Sequence, residues 1–394
     1  MYAAASAAAV AVTASCGSLP VLKPSPTPKH IAVRTPTPTP PAVPSGPFAV
    51  VVTNAPRSGT TYDVLIVDTS GHVVARASAN LPLIKPNQTL DLPLVSASAT
   101  QVYYRNGDTD VYALSPDGST GIVRRLPEGT KAEIAFAASP DDQRIAVVDL
   151  TEQADATQNS SRGYVESLSG STNRVDLFNN TNADAFRWPV GWHGALIIDA
   201  AGVCAGGYGP GYGPRPEGLT PPCSYHVIDA ATGSRTATAC ENASPAASND
   251  YYSLQGLPTA AGTACFENTG TWPGPYTATI MDVDWKGAEH TFKSVTQDGS
   301  ATLGFSSCYI APDGSRLACQ ADASGIVTLV DRKGGRHDLG RRYTVMGWID
   351  ASHLLVDIDA NTLGVLQPDM STVISVALAG ADKTTFAGAL PGGL

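Results

Sequence analysis

The sequence predicts an all-β fold made of seven repeated four-stranded units, and three observations carry that prediction. Apolar runs of four to six residues, rich in Val, Ile, Leu and Tyr, end repeatedly in Gly, Asp or Pro turns. No stretch is long and periodic enough for an amphipathic helix. Gly and Pro are frequent (38 and 30 of 394 residues), while charged residues make up only 15 %, against about 25 % in an average globular chain. Three short motifs recur along the chain. An apolar content of 43 % is ample for a core and excludes disorder of the whole chain. With 25 Lys and Arg against 35 Asp and Glu, the net charge of −10 lacks the clustered basic footprint of a nucleic-acid binder, so no nucleic acid is expected.

Residues 1–16 come first. The run Ala3 to Ala14 is uncharged and too short for a bilayer, which takes about 20 residues. It suits the apolar region of a secretory signal peptide. Thr13-Ala14-Ser15-Cys16 resembles a bacterial lipoprotein processing box, and the resemblance implies lipidation of Cys16 as the mature N-terminus; no Lys or Arg precedes the run. Residues 17–47 follow as a Pro/Thr-rich stalk: ten of residues 18–47 are proline, which removes donors and fixes φ, so neither helix nor sheet is expected. At about 3.1 Å per residue, this stalk could hold a folded body up to roughly 90 Å from a membrane.

Residues 48–394 carry the repeats. Ser139-Pro-Asp-Asp-Gln-Arg-Ile-Ala-Val147 aligns with Ala311-Pro-Asp-Gly-Ser-Arg-Leu-Ala-Cys319. Val190-Gly-Trp-His193 aligns with Met346-Gly-Trp-Ile349, each leading into an apolar strand. A strand–Asp–small-turn motif recurs at Val64–Gly71, Val111–Gly118, Val227–Gly233 and Val327–Gly334. Grouping strands by these anchors gives seven sets, starting near residues 47, 92, 131, 184, 245, 301 and 343. Each set takes about 47 residues, the length of a four-stranded β-propeller blade. The first set holds three strands, Phe48–Asn54, Tyr62–Asp68 and His72–Ala77, and lacks an inner one. Thr384–Leu390 is an orphan strand beyond the seventh set. It is expected to supply the missing strand, closing the ring and leaving no open sheet edge.

The Ser/Ala-Pro-Asp-(Gly/Asp)-x-Arg-(Ile/Leu)-Ala turn resembles the signature of exported TolB-like, WD-like β-propeller repeats. The likeness covers two sets well and the others loosely. It implies a propeller whose faces bind partners, and it carries over no catalytic residue. The segment Ile228–Arg235 also resembles the repeat of pyrroloquinoline-quinone propellers, but Ala237 and Thr238 follow where that repeat ends in a docking Trp. No cofactor is expected.

Motifs of known chemistry are scarce. Gly304-Phe-Ser-Ser-Cys308 lacks the second glycine of a nucleophile elbow, and there is no H-E-x-x-H, no C-x-x-C and no phosphate-binding glycine loop. No catalytic residue is assigned. The seven histidines are scattered without ligand spacing; His193, beside Trp192, reads as a turn or core residue before an acid–base group of the channel. Asn106, Asp108, Asp110 and Asp117 occupy positions 1, 3, 5 and 12 of a calcium-loop frame, but Val111 stands where the sharp turn wants Gly, so a polar hairpin is expected and no metal. Asp357, Asp359 and Asn361 make a weaker version of the same pattern.

Six cysteines remain after Cys16, an even number in an exported chain, and neighbours are expected to pair: Cys204–Cys223, Cys240–Cys265 and Cys308–Cys319. The last pair has a geometric argument. If Pro312–Ser315 is a four-residue loop, Ala311 faces Arg316 and Cys308 faces Cys319. Opposed residues have Cα atoms about 4.5–5.5 Å apart, inside the roughly 4.4–6.8 Å that a disulfide needs. A three-residue loop would put the two sulfurs on opposite faces. The same places in the aligned repeat hold Phe136 and Val147. Between Cys204 and Cys223, Tyr208, Tyr212 and Arg215 stand among Gly and Pro; Trp272 and Tyr276 occupy a second such loop. Tyr, Trp and Arg commonly carry interface energy, so these five are the candidate contacts for a protein or glycan partner.

The sequence therefore reads as a monomeric propeller, tethered outside the cytoplasmic membrane by a lipid anchor or, as the runner-up, secreted without one, that binds a protein, glycan or small ligand without chemistry. The alternative is an exported propeller enzyme, a hydrolase or lyase, with ionisable residues converging at the mouth of the central channel.

Overall fold

A computed structural model describes residues 45–53, 60–83, 92–126, 132–151, 160–170, 174–181, 187–203, 222–240, 251–270, 274–298, 303–321, 324–359, 361–378 and 384–392. Among these residues there are 28 strands and no helix, arranged as seven four-stranded antiparallel sheets. Blade 1 contains β1 (Phe48–Thr53), β2 (Thr61–Asp68) and β3 (Val73–Asn80). Blade 2 is β4 (Val95–Ala97), β5 (Val102–Asn106), β6 (Asp110–Leu114) and β7 (Thr120–Arg125); blade 3 is β8 (Ala132–Ala138), β9 (Arg144–Thr151), β10 (Ser160–Ser167) and β11 (Val175–Thr181). Blade 4 is β12 (Arg187–His193), β13 (Leu196–Val203), β14 (Pro222–Asp229) and β15 (Arg235–Ala239); blade 5 is β16 (Tyr251–Thr259), β17 (Gly262–Gly270), β18 (Pro275–Val283) and β19 (Glu289–Asp298). Blade 6 is β20 (Phe305–Ile310), β21 (Arg316–Ala321), β22 (Ile326–Asp331) and β23 (Arg336–Arg342); blade 7 is β24 (Thr344–Trp348), β25 (Leu354–Asp359), β26 (Thr362–Leu366) and β27 (Val373–Ala377). The last strand, β28 (Thr384–Leu390), returns to blade 1, whose order is β28-β1-β2-β3. The chain is a seven-bladed β-propeller.

Every blade is packed between two neighbours, so both faces of its inner strands are buried, while outer strands such as β7 and β23 are largely exposed. Hence the inner strands read as continuous apolar runs and not as alternating ones. Phe48, Val50 and Val64 of blade 1 pack with Val102, Tyr104 and Leu114 of blade 2. At the other end, Val51, Leu65 and Val67 of blade 1 pack with Met346, Leu355 and Val365 of blade 7, around Phe386 of the closing strand. A Cβ at Gly347 would fall inside the Phe386 ring, so the glycine of this Gly-Trp motif makes room for the strand that shuts the ring.

The two repeated motifs are halves of one device. Trp192 of blade 4 donates its Nε1–H to the Ala137 carbonyl of blade 3 at 3.0 Å, and Trp348 of blade 7 donates to the Tyr309 carbonyl of blade 6 at 2.8 Å. The guanidinium of Arg144, from the first Pro-Asp turn motif, lies 5.0 Å from the Trp192 ring centre; Arg316, from the second, lies 5.1 Å from that of Trp348. Each Pro-Asp-x-x-Arg hairpin thus clamps the Trp of the next blade by cation–π contact and a carbonyl acceptor. Asp282, buried in blade 5, plays a related part: Arg332 from blade 6 makes a two-point ion pair with it, His290 Nδ1 lies at 3.3 Å, and the same guanidinium covers Phe292 at 4.3 Å.

The strand–Asp–turn motif joins the third to the outer strand of a blade. Asp68, Asp229 and Asp331 each accept backbone N–H groups of the turn at 2.8–3.0 Å, and the glycines that end these turns, Gly71, Gly233 and Gly334, have φ between 72° and 78°. Only glycine takes that conformation cheaply. First-to-second and third-to-outer turns open on one face of the ring; second-to-third and blade-to-blade links open on the other. Ser45–Pro47 enters β1, the second strand of blade 1, and so arrives on the first face.

In blade 6 the Ala311 N–H bonds the Arg316 carbonyl at 2.9 Å, so the loop has four residues and Cys308 lies opposite Cys319 with Cα atoms 4.0 Å apart, joined as a disulfide. Phe136 lies opposite Val147 in blade 3. Cys240, at the end of blade 4, is bonded to Cys265 on the second strand of blade 5, with Cα atoms 5.7 Å apart, and so staples two blades. Cys204 and the Cys223 side chain lie outside the described residues, as does the whole of residues 1–44. Disulfides of this kind belong to an oxidising, extracytoplasmic compartment.

Two outcomes are expected. Phe386→Ala should lower unfolding stability by about 3–5 kcal/mol in a guanidinium titration, the range for emptying a buried Phe site; a loss below about 1 kcal/mol would show that β28 does not hold the ring. Non-reducing peptide mapping should recover the Cys240–Cys265 and Cys308–Cys319 peptides as linked pairs, and Cys308 joined to any other cysteine would refute the hairpin register.

Candidate functional site

The innermost strands β28, β4, β8, β12, β16, β20 and β24 face the central channel and are the natural place to seek an acid–base pair. Among their residues the only Asp, Glu, Lys, Arg or His side chains are Glu133, Arg187 and His193. Arg187 and His193 sit at opposite ends of β12, six residues and roughly 20 Å apart. His193 closes the strand at the hairpin to Leu196, where Gly194 takes φ 58°. This is the turn position that its neighbours in sequence imply.

Arg187 instead turns into the seam between blades 3 and 4. There a cleft of about 320 Å³ is lined by Asn180, Arg187, Ala201, His226, Ile228, Gly233 and Arg235. Each strand of blade 4 contributes. β12 supplies Arg187 at its first residue, β13 supplies Ala201 and the adjoining Asp199, β14 supplies His226, and β15 supplies Arg235; Asn180 comes from β11 across the seam. Asp199 and His226 are register partners, as are Ile228 and Arg235. The Arg187 guanidinium lies over the Phe178 ring, 3.9 Å from its centre, and pairs through Nη2 with Asp199 Oδ2 at 2.8 Å. Asp199 is 1 % exposed. Burial pushes its carboxyl up to about 6, against the opposing pull of Arg187.

His226 behaves in the opposite sense. Burial, then Arg187 and Arg235, depress its imidazolium to about 4, so the ring is neutral over the physiological range. Arg235 Nη1 lies 3.3 Å from His226 Nε2. A guanidinium can only donate, so Nε2 is the acceptor and the ring proton sits on Nδ1. That Nδ1–H is buried without a hydrogen-bond partner, and so is Arg187 Nε. Two guanidinium groups, one neutral imidazole and one carboxylate leave the cluster with an excess positive charge at neutral pH.

The other residues singled out from sequence fall elsewhere. Tyr208, Tyr212, Arg215 and Trp272 lie outside the described residues, and of Tyr276 only its backbone place at the start of β18 is described. Asn106 and Asp108 accept bonds from the Asn80 and Leu83 amides at 2.9 and 2.7 Å, and Asp110 pairs with Arg125 at 2.9 Å. These side chains tie the blade 2 hairpin to its neighbours. Asp359 caps its own turn through the Asn361 amide at 3.0 Å. Among the described residues no group of three His, Cys, Asp or Glu side chains is placed to hold a metal.

No protein-family model and no curated protein matches the chain. Among solved structures it is similar to an oligogalacturonate lyase in complex with manganese, at 10 % identity and a TM-score of 0.48 over 75 % of this chain and 79 % of that one. It is also similar to the β-propeller domain of the Trilobed protease from Pyrococcus furiosus, at 10 % and 0.40 over 82 % and 83 %. A third likeness is to a chain of the Mitotic Checkpoint Complex, at 13 % and 0.41 over 77 % and 88 %. The propeller assignment rests on the strand order itself.

Sequence reasoning passed over Arg187, Asp199 and Arg235, and took His226 only as one scattered histidine. One signal was present: Asp199 interrupts the apolar run Leu196-Ile-Ile-Asp-Ala-Ala201, and a carboxylate in a strand buried on both faces must find a partner. Nothing in the spacing names that partner, because Arg187 reaches it across the sheet.

The titration order of the pair is testable by NMR. His226 should titrate near pH 4 and Asp199 near pH 6, the reverse of the usual order of carboxylate and imidazole. The depressed His226 value costs stability as pH falls from its unfolded value of about 6.5 through 4, because the unfolded chain takes up the proton first. The raised Asp199 value acts oppositely, adding stability below the unfolded carboxylate range and losing it as pH rises through about 6. Arg235→Gln should move the His226 value upward without restoring it fully, since burial is the larger cause; no movement would remove Arg235 from the cluster.

Proposed function

We propose that the chain is an exported propeller of the TolB-like kind, tethered through lipid-modified Cys16 and the proline stalk, and that it binds a protein or glycan partner without chemistry, as a monomer. The observation that carries this reading is the polarity of the ring. The chain enters at Ser45–Pro47 on the face of the short Pro-Asp and Asp turns. The ends of β13 and β14, and of β17 and β18, open on the opposite face. Partner contact is proposed on that second face. The segments joined at those strand ends contain Tyr208, Tyr212, Arg215 and Trp272, with Tyr276 just inside β18, and these are the proposed contact residues. The two disulfides support an extracytoplasmic setting.

Mass spectrometry of the native N-terminus tests the tether: a mature chain starting at acylated Cys16 is expected, and an unmodified Cys16 or another start rejects the anchor. A thermal-shift screen against glycans and peptides tests the binding. A selective ligand at a hundredfold excess over its Kd adds about 2.7 kcal/mol to native stability. Replacing Tyr208, Tyr212 and Trp272 together by Ala should abolish that shift while leaving the unliganded midpoint unchanged; turnover of a ligand by the protein would replace this reading with an enzymatic one.

A further inference from the structure

The cleft between blades 3 and 4 differs from the other ionic contacts along the seams. Asp282 is saturated by Arg332 and His290, and Glu166 is held by Arg124 through Nε at 3.0 Å and through Nη2. In those contacts, as in the Arg187–Asp199 pair, the charges meet directly, and among the described residues no further cation stands beside them without a carboxylate of its own in the way Arg235 does. At the blade 3–4 seam, two guanidinium groups and an uncharged imidazole line one cleft, and the carboxylate of Asp199 pairs with Arg187 alone. Of the four buried atoms there without a hydrogen bond, Arg187 Nη2 and Asp199 Oδ2 face each other in that ion pair, which leaves Arg187 Nε and His226 Nδ1, both donors. Buried polar groups are paired in the great majority of cases, so an unpaired set marks either a cost or a missing partner. Here the missing partner must be an acceptor.

We propose that this cleft binds a carboxylate monoanion, the acidic end group of a peptide or sugar, held by Arg235 together with Arg187 and His226, which line the same cleft. The inference names a ligand class for the binding-module reading and rests on it. The carboxylate takes Arg235 from its long 3.3 Å contact with the imidazole, and a turn of the freed His226 ring presents Nδ1–H as a further donor. Asn180, across the seam, adds an amide donor at the mouth. Charge selects the class. With Asp199 ionised, two arginines leave one net positive charge, which a monoanion neutralises and a phosphate dianion overshoots beside a buried carboxylate. Arg187 is fixed by Phe178 and Asp199 and so is held ready, which keeps the ordering cost on the ligand side small.

The test uses the intact chain with ¹⁵N-labelled histidine, titrated at neutral pH with sodium acetate exchanged for sodium chloride at constant ionic strength. The ring nitrogens of His226 should shift saturably, while those of His72 and His337, exposed on other blades, stay still. Arg235→Gln, at an exposed position, should weaken acetate about tenfold, the loss of one charge-assisted hydrogen bond, with an unchanged unfolding midpoint. Asp199→Asn should make inorganic phosphate competitive with acetate, whereas phosphate binding the unaltered protein more tightly than acetate would overturn the monoanion assignment. Absence of a saturable His226 shift, or an Arg235→Gln protein that binds acetate as before, would overturn the site itself. Capture of a neutral ligand by a protein that ignores acetate would overturn this inference and leave the binding-module reading standing.

Discussion

Ring closure by β28 is the constraint on which the rest of the molecule depends. The inner strands of a blade have no solvent-facing side to spare: their two faces are apolar because each is covered by a neighbour. Remove the closing strand and blade 1 loses its inner edge while blade 7 loses the cover over Met346, Leu355 and Val365. A strand from beyond the seventh blade, pairing Phe48 with Leu390 and Val52 with Thr385, completes blade 1 and packs it on blade 7, converting an open array with two uncovered end faces into a closed ring. The absence of a side chain at Gly347, under the Phe386 ring, shows how closely blade 7 is fitted to that event.

Around the ring the seams are apolar first and polar second. The polar contacts are few and directional, and the same ones recur. Arg144 on Trp192 and Arg316 on Trp348 set the rotation of a blade against its neighbour, because a flat cation over an indole and one N–H to a carbonyl leave little freedom to slide. Cys240–Cys265 does the same covalently between blades 4 and 5. At the blade 3–4 seam the Arg187–Asp199 ion pair borders a cleft that Arg235 and His226 also line. There the apolar contacts of Trp192 with Ala137 and Ala146 continue on one side, and the polar cluster of Arg187, Asp199, His226 and Arg235 occupies the other. Its titration behaviour follows from that division, since burial pulls Asp199 and His226 in opposite directions towards their neutral forms.

Much of the architecture was legible from residue order alone, and for physical reasons. Strand length, turn chemistry and repeat spacing are local: a Pro-Asp-Gly-Ser loop declares its own register, which is why Cys308 opposite Cys319 followed from counting. The missing strand of the first set and the orphan Thr384–Leu390 were both visible as a deficit and a surplus. The alignment of the Pro-Asp-x-x-Arg turns and of the Gly-Trp motifs was visible too. That the Arg of one seats on the Trp of the other was not, since the two residues belong to different blades and only the stacking of blades brings them together.

What the sequence by itself determined was the number of blades, their strands and turns and the end that closes the ring, because each is set by short-range sterics and by a period that the chain repeats. What the tertiary structure alone decided was which charged groups meet. Arg187, Asp199, His226 and Arg235 lie on four successive strands spread over 49 positions, and nothing local distinguishes them from the other charged residues at strand ends. Their common environment arises only when β12 to β15 lie side by side and blade 3 covers them, for electrostatic coupling and desolvation depend on distance through space and not along the chain.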